Sequence, residues 1–329
     1  MDHIIKLFKS LSVPGAKEGN IFSALKIDKS GNFRVGISPD KMPSLLITSA
    51  SDKSAEAVGN IILRNIAVIF DAKCSIVDND QMEEGFFTII KFIGDNELLI
   101  NHFLRSVQVL TSSLGDVYTN EQIKKEVYKF VELFTSLSEP PTRTAQGLWA
   151  ELFVIERSSD PRKLVAAWHT GPEDKFDFNA GDERIEVKST SKDVRSHKFS
   201  IGQLNSPEGT HAVIASLFTR RSAGGISIER LILDIQPSLA GDAEMLRNFF
   251  FVINKTLGNS ISESLNISFD YEVAKESLAF YEVKNIPRIM NEHIPAEVSD
   301  VFFEVNLSAV KKLGHKDIED KTGLISIVL

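Results

Sequence analysis

Asp177 and the run Glu186-Val187-Lys188 are the residues of this chain whose types and spacing point most directly to chemistry. In a strand, side chains two apart share a face, so Glu186 and Lys188 point one way while Ile185 and Val187 point into a core. Asp177 lies in a short segment, Lys175 to Asn179, joined to the strand Glu183 to Thr190 by Ala180-Gly181-Asp182. Register decides whether it meets Glu186. A two-residue loop at Ala180-Gly181 sets Asp177 opposite Arg184, and a four-residue loop from Ala180 to Glu183 sets it opposite Glu186. Both put Asp177 on the face of Glu186 and Lys188; a three-residue loop does not, unless a bulge restores the phase. Two carboxylates at cross-strand distance repel, at a cost of roughly 0.2–1 kcal/mol when exposed. A divalent cation offsets that repulsion, and Mg²⁺ commonly takes one or two carboxylates while keeping several waters. Lys188 is then placed to hold or help deprotonate a water, so that a nucleophile, a Lewis acid and a charge clamp meet on one strand edge. A Glu-X-Lys triplet by itself is more often a solvated ion pair.

Two further residues raise the triplet above that background. Glu151 interrupts the otherwise apolar run Leu148-Trp149-Ala150-Glu151-Leu152-Phe153-Val154-Ile155. The alternative, a solvent-facing glutamate, has only a narrow polar edge to occupy. A carboxylate bordering a buried stripe suits a metal or a charged partner. Gln203 follows in the short turn Ile201-Gly202-Gln203-Leu204.

With these residues assembled, the segment resembles the PD-(D/E)XK nuclease superfamily. More narrowly, residues 143–235 look like a family of PD-(D/E)XK proteins encoded in bacterial restriction and phage-defence operons. Gly147-Leu148-Trp149-Ala150-Glu151-Leu152 matches the family's helix with its accessory glutamate, Asp177 the motif aspartate, Glu186-Val187-Lys188 the (D/E)XK, and Gln203 the polar residue of the following helix. Phe176 stands where the name-giving proline would be, and Ala150 where a glycine is expected. The resemblance implies an α/β fold with a restriction-endonuclease-like α-β-β-β-α-β core. It also implies Mg²⁺- or Mn²⁺-dependent hydrolysis of DNA phosphodiesters. Asp177, Glu186 and the Val187 carbonyl are the implied metal ligands, with Glu151 as a further one. Lys188 is the implied water-positioning group, and Gln203 orients Lys188 or a phosphate. Implied partners are DNA and the ATPase and methyltransferase proteins of a restriction operon, with a homodimer as one arrangement. The competing readings are a catalytically inactive nuclease-fold subunit used for DNA binding or assembly, and a carboxylate-pair glycosidase. The adjacent Lys188 argues against the glycosidase.

DNA requires local positive charge. Residues 184–198 carry Arg184, Lys188, Lys192, Arg195 and Lys198 against Glu186 and Asp193, within a chain of net charge −8. Lys192, Arg195 and Lys198 are the expected phosphate contacts, with Ser189, Thr190, Ser191 and Ser196 as hydroxyl donors. A solvated loop is the competing reading. Arg220-Arg221 beside Gly224-Gly225 reads as a polar hairpin tip, and His197 as a satisfied strand-end histidine.

The surrounding pattern has to position these groups. Alternation and turn signals predict strands over 33–37, 44–48, 64–70, 73–77 and 86–92, with turns such as Asp78-Asn79-Asp80 between them. Helical spacing covers 97–110 and 121–137. Ser138-Glu139-Pro140-Pro141-Thr142 is the clearest boundary. Beyond it, helices are expected over 143–157 and 163–169, the latter ended by Gly171-Pro172, with a helical turn at 200–205. A hairpin is expected between 211–218 and 226–235, a helix over 241–257, and strands over 267–273, 278–283 and 301–305. Three parts follow: a strand-rich α+β domain over 1–138, a nuclease-like core over 139–236, and an α+β part over 237–329 packing on that core.

Composition bounds the rest. With 329 residues, 43% of them apolar and 25% charged, the chain has ordinary globular composition rather than that of a disordered protein. No apolar run approaches the roughly 20 residues of a membrane span, and residues 1–11 lack the apolar core of a secretory signal. The single cysteine, Cys74, excludes an intrachain disulfide and a thiolate metal cluster, and the expected location is a reducing cytoplasm. There is no phosphate-cradling glycine loop, HExxH or G-x-S-x-G. Phenylalanine dominates the aromatics, 22 against 6 Tyr plus Trp, which favours core packing over base-stacking platforms.

Overall fold

The structure, a computed structural model, describes residues 2–15, 20–49, 59–78, 81–169, 171, 174–314 and 323–328. The turn at Asp78-Asn79-Asp80 and the stop at Gly171-Pro172 fall partly outside these residues. In chain order the first elements are α1 (Asp2–Lys9), β1 (Ile21–Lys26), β2 (Phe33–Ile37), β3 (Pro43–Thr48), β4 (Ile61–Ile62), β5 (Ile66–Asp78), β6 (Gln81–Phe92), α2 (Glu97–Leu114) and α3 (Asn120–Thr135). Next come α4 (Ala145–Arg157), α5 (Pro161–Ala167), β7 (Phe178–Ala180), β8 (Glu183–Thr190), β9 (Ser196–Ser200), α6 (Ile201–Leu204), β10 (His211–Phe218), β11 (Arg221–Ser227) and α7 (Ile228–Ile235). The chain ends with α8 (Ala243–Leu257), α9 (Ile261–Ser264), β12 (Ser268–Phe269), α10 (Tyr271–Ser277), β13 (Ala279–Glu282), β14 (Phe302–Asn306) and α11 (Leu324–Val328). This is a mixed α/β architecture of the nuclease-like kind. Among the described residues, no helix is long and apolar enough to cross a membrane.

These elements form two compact units, 1–142 with 240–262, and 143–239 with 263–329. The expected tripartite division differs from this grouping because long-range pairing, not chain order, decides membership. Helix α8 returns to the first unit: the Asn254 side chain meets His102 of α2 and the Leu133 carbonyl of α3, and Thr142 N donates to Thr256 O. Conversely β12, β13 and β14 pair with β11, β10 and β9 of the second unit.

In the first unit the strands run in the order β1-β2-β3-β6-β5-β4, and a parallel β1–β5 pairing closes the sheet on itself. Phe22, Ala24, Leu46, Cys74, Ile76, Phe87 and Ile89 fill its interior. The strands expected at 64–70 and 73–77 are one strand, β5, with a register shift between Ile69 and Ala72 where Asp71 takes a φ of +48°. The inserted residue resets the in–out phase, so the sequence reads as two alternating runs. Cys74 is buried there, as its apolar surroundings suggest.

The second unit is built on the sheet β13-β10-β8-β7, with β8 and β10 parallel and the outer pairs antiparallel. Helix α4 is apolar nearly all round and is buried from Leu148 to Ile155. Thr144 caps its first turn, its hydroxyl accepting from Gly147 N at 3.1 Å. Phe176, Phe199, Leu204, Ile214, Tyr281 and Val305 belong to one core cluster, which draws β9, α6 and β14 onto the sheet.

Two sequence expectations are corrected here. Residues 211–218 and 226–235 do not form a hairpin. β10 lies between β8 and β13, β11 pairs with β12, and 228–235 is helix α7. Its buried residues Ile228, Leu231, Ile232 and Ile235 follow the i, i+3, i+4, i+7 spacing of a helix, and the Ser227 hydroxyl accepts from Arg230 N. Within 267–273 only Ser268 and Phe269 are strand, because Asp270 caps α10 by accepting from Val273 N.

Candidate functional site

The register of β7 and β8 pairs Phe178 with Ile185, Asn179 with Arg184 and Ala180 with Glu183. Continued by one step it sets Asp177 opposite Glu186, the second of the two registers that the sequence allows. The loop is tighter than in that reading: only Gly181 and Asp182 turn, and Gly181 takes the positive φ of +56° favoured at the first position of a two-residue hairpin. The strand expected from Lys175 begins only at Phe178. Asp177 sits just ahead of it, its carbonyl accepting from His169 N at 2.9 Å and its Oδ2 accepting from Val187 N at 2.8 Å. The aspartate therefore takes the place of a ladder partner at the end of the sheet, and Phe176 is freed to join the cluster around Phe199.

Glu151 reaches the same place from α4. Its Oε2 accepts from Trp168 Nε1 at 2.8 Å and lies 2.8 Å from His169 Nε2. Arg143, just before the helix cap, spans both acids: Nη1 is 3.2 Å from Glu151 Oε1 and 2.5 Å from Asp177 Oδ1. His169 Nε2 is 3.8 Å from Asp177 Oδ1. His169 holds a left-handed φ of +45°, a conformation that costs energy in a non-glycine residue and recurs at functional sites.

Glu186 lies beside this group and is 4% exposed. Its Oε1 accepts from Lys188 Nζ at 2.7 Å and from Gln203 Nε2 at 2.6 Å. Gln203 is itself fixed: Nε2 also donates to Lys175 O, and Oε1 accepts from Ser200 N. The Lys188 ammonium stands 5.3 Å from the centre of the Phe199 ring.

The electrostatics record a surplus of buried negative charge. Burial, then the neighbouring Asp177 charge, pushes Glu186 up to about 8 against the pull of Lys188. Asp177 is raised by burial and by Glu151, with Arg143 and His169 opposing. For Glu151 burial also works upward, but His169, Arg143 and Trp168 together outweigh it and leave the carboxyl below its ordinary value. Burial works against the Arg143 charge, and Glu151 and Asp177 overcome that and strengthen its hold on the proton.

The donor set suits a divalent cation. One ligand atom each from Glu151, His169 and Asp177 lie within 4.8 Å of one another, two of the three residues being buried. Carboxylate oxygen and imidazole nitrogen are both ordinary ligands of divalent ions. Glu186 is a third buried carboxylate, opposite Asp177 in the strand register and outside that three-residue group. A family model described as "Putative PD-(D/E)XK family member, (DUF4420)" matches residues 4–308. The chain belongs to that family. No curated protein and no solved structure matches it. PD-(D/E)XK folds generally use divalent metals, in keeping with the acidic and histidine cluster.

Around this family motif, the basic residues 184–198 separate into two kinds. Lys192 and Lys198 are exposed, Lys198 lying 4.7 Å from the Phe302 ring centre and opposite Glu304. Arg195 is the correction: it is buried, donates to the carbonyls of Ser216 and Ser277 and to Ser216 Oγ, and stacks 4.6 Å from the Phe218 ring centre. The guanidinium is committed to joining β10 to the end of α10 and is not offered to phosphate. His197 is buried with Nε2 2.7 Å from Ser216 Oγ, a satisfied histidine. Arg221 opens β11 rather than tipping a hairpin, while Arg220 pairs with Asp193.

Sequence reasoning missed Arg143, Trp168 and His169. Arg143 was absorbed into a helix and its boundary, and His169 into the end of the next helix. The available signal was charge balance: three acids destined for burial need more cations than Lys188 supplies.

Proposed function

We propose that the chain is a divalent-metal-dependent DNA endonuclease serving a restriction or phage-defence system. The observation that carries this reading is the cluster of Glu151, His169 and Asp177, with one ligand atom of each within 4.8 Å of the others, beside a buried Glu186 whose carboxylate lies 2.7 Å from Lys188, in a chain of the PD-(D/E)XK family. Asp177, Glu186 and the Val187 carbonyl would hold Mg²⁺ or Mn²⁺, joined by Glu151 and His169. When bound, the ion supplies Lewis-acid stabilisation of the phosphodiester's charge and lowers the pKa of water. Lys188 holds the attacking water, and Gln203 fixes the Glu186 carboxylate so that the ammonium keeps its bearing. The water oxygen bonds to phosphorus and gives up a proton, one P–O ester bond breaks, and the leaving oxygen takes up a proton, so that one water is consumed per bond cleaved. Lys192 and Lys198 contact the DNA backbone. The reading carries with it a cytoplasmic location, a homodimer, and ATPase and methyltransferase partners from the same operon.

The test is plasmid nicking. Wild type should nick with Mg²⁺ or Mn²⁺ and not with chelator. Lys188→Ala should lose the activity by about 10²-fold or more, the scale of one positioned proton-transfer group, while keeping its fold. Undiminished cleavage by that variant would remove Lys188 from the mechanism.

A second reading is favoured by one observation: each of the three acids already has a protein cation, Arg143 for Glu151 and Asp177, and Lys188 for Glu186. A closed ion-pair cluster suits a catalytically inactive nuclease-fold subunit serving DNA binding or assembly. Such a subunit shows no rise in melting temperature with Mg²⁺ or Mn²⁺, whereas the enzyme does.

A further inference from the structure

Arg143 contacts one oxygen on each of the two carboxylates that a cation at this site would share. One nitrogen, Nη1, contacts both Glu151 Oε1 and Asp177 Oδ1. The same two residues supply, with His169, the group of ligand atoms within 4.8 Å of one another. The three partners differ in their freedom to move. The side chains of Glu151 and Asp177 are 4% and 1% exposed, whereas that of Arg143 is 40% exposed. Arg143 also precedes Thr144, the residue that caps α4, so its departure leaves the helix hydrogen bonds intact. The carboxylates are fixed, and the guanidinium has a route to solvent.

We propose that Arg143 is a built-in competitor of the divalent cation, filling the carboxylate notch when the ion is scarce and being expelled when it binds. This rests on the reading of Glu151 and Asp177 as metal ligands. The reason is electrostatic and steric together. An oxygen lone pair serves one acceptor contact at a time, and a guanidinium and a divalent ion on the same pair of oxygens repel each other strongly in a buried setting. In the ion-free state Arg143 relieves the repulsion between two buried carboxylates. Binding of the ion must first break those two ion pairs, which lowers the apparent affinity by the fraction of molecules in which the notch is open. The device keeps the two carboxylates in place and delays loading until the ion is abundant.

The experiment is calorimetric titration of the full chain with Mn²⁺ and with Mg²⁺, for wild type, Arg143→Gln and Arg143→Lys, with melting temperatures in chelator and across the titration. Arg143→Gln should bind Mn²⁺ about 10-fold more tightly than wild type, the size of effect that an open fraction of about one-tenth produces. It should melt lower in chelator, and the gap to wild type should close as Mn²⁺ is added. Arg143→Lys, which keeps the charge and loses the fork, should fall between the two. If Arg143→Gln unfolds in chelator, refolding by Mn²⁺ supports the proposal and failure of Mn²⁺ to refold it overturns it. Binding by a folded Arg143→Gln that is equal to or weaker than wild type overturns the competitor role and leaves the metal site standing. No binding by any of the three overturns the metal-site reading and this inference with it.

Discussion

Glu151 sits in an apolar helix, and the cost of burying its charge is met by three donors: Trp168 Nε1, Arg143 Nη1 and the His169 ring. Removing one such partner from a buried charge is far more damaging than the net worth of the contact. His169 is the most informative of them, because under the proposed metal reading its nitrogen would join oxygen ligands. Mg²⁺ takes oxygen ligands almost exclusively, whereas Mn²⁺, a first-row transition ion, accepts an imidazole nitrogen among its oxygens more readily. Stabilisation by Mn²⁺ is therefore expected to exceed that by Mg²⁺ in wild type, and His169→Ala should reduce the Mn²⁺ thermal shift more than the Mg²⁺ shift. Equal reductions would remove His169 from the ligand set. The Glu186 and Lys188 pair was legible beforehand because a period of two in a strand needs no tertiary knowledge. His169 and Arg143 were not, since each reaches the acids through a bend that no local pattern records. Arg195 misled for the related reason that charge alone says nothing of what later strands will cover.

At the scale of elements, the first unit buries a histidine in its helix packing. His102 of α2 is buried, its Nε2 2.7 Å from Asn254 Oδ1 of α8, and Asn254 Nδ2 donates to Leu133 O of α3. Burial, against the help of the Asn254 bond, pushes the imidazole down to about 4. The unfolded chain then takes up a proton near pH 6.5 that the folded chain refuses until about pH 4. Stability contributed by the neutral ring is thus complete above pH 6.5 and falls as pH drops through that window, by on the order of 3 kcal/mol. Urea titrations at pH 7 and pH 4.5 should show this slope in wild type and a smaller one in His102→Gln. An unchanged slope in the variant would assign the acid sensitivity to other groups. Helix existence was readable from spacing for α2, α3, α4 and α8. It was missed for α7, where Ile228, Leu231, Ile232 and Ile235 had the helical period but a run of isoleucine and leucine also fits a strand. Only the tertiary partners settle such a segment, here through the Ser227 cap and the packing of α7 on α4.

At the scale of the whole molecule, the chain leaves its first unit at residue 142, returns to it for 240–262, and leaves again. A fragment 143–329 therefore carries α8 without the elements it packs on, exposing Leu246, Phe249, Phe250, Ile253 and Leu257, all buried in the full chain. That fragment should aggregate, and replacing 240–262 with a polar flexible linker should restore a soluble, folded second unit, as read by gel filtration and circular dichroism. A soluble, well-folded 143–329 with 240–262 intact would contradict the grouping. What the sequence determined by itself was local: the periodicity of most strands and helices, the boundary at 138–142, and the identity of the acids and lysine with the two registers that could join them. Burying Arg195, adding His169 and Arg143 to the acids, and returning α8 to the first unit depended on contacts between residues far apart in the chain, whereas the register was decided locally by the Gly181-Asp182 turn. Spacing rules follow from backbone geometry over a few residues, whereas those choices follow from which apolar faces and unpaired charges find each other once the chain is folded.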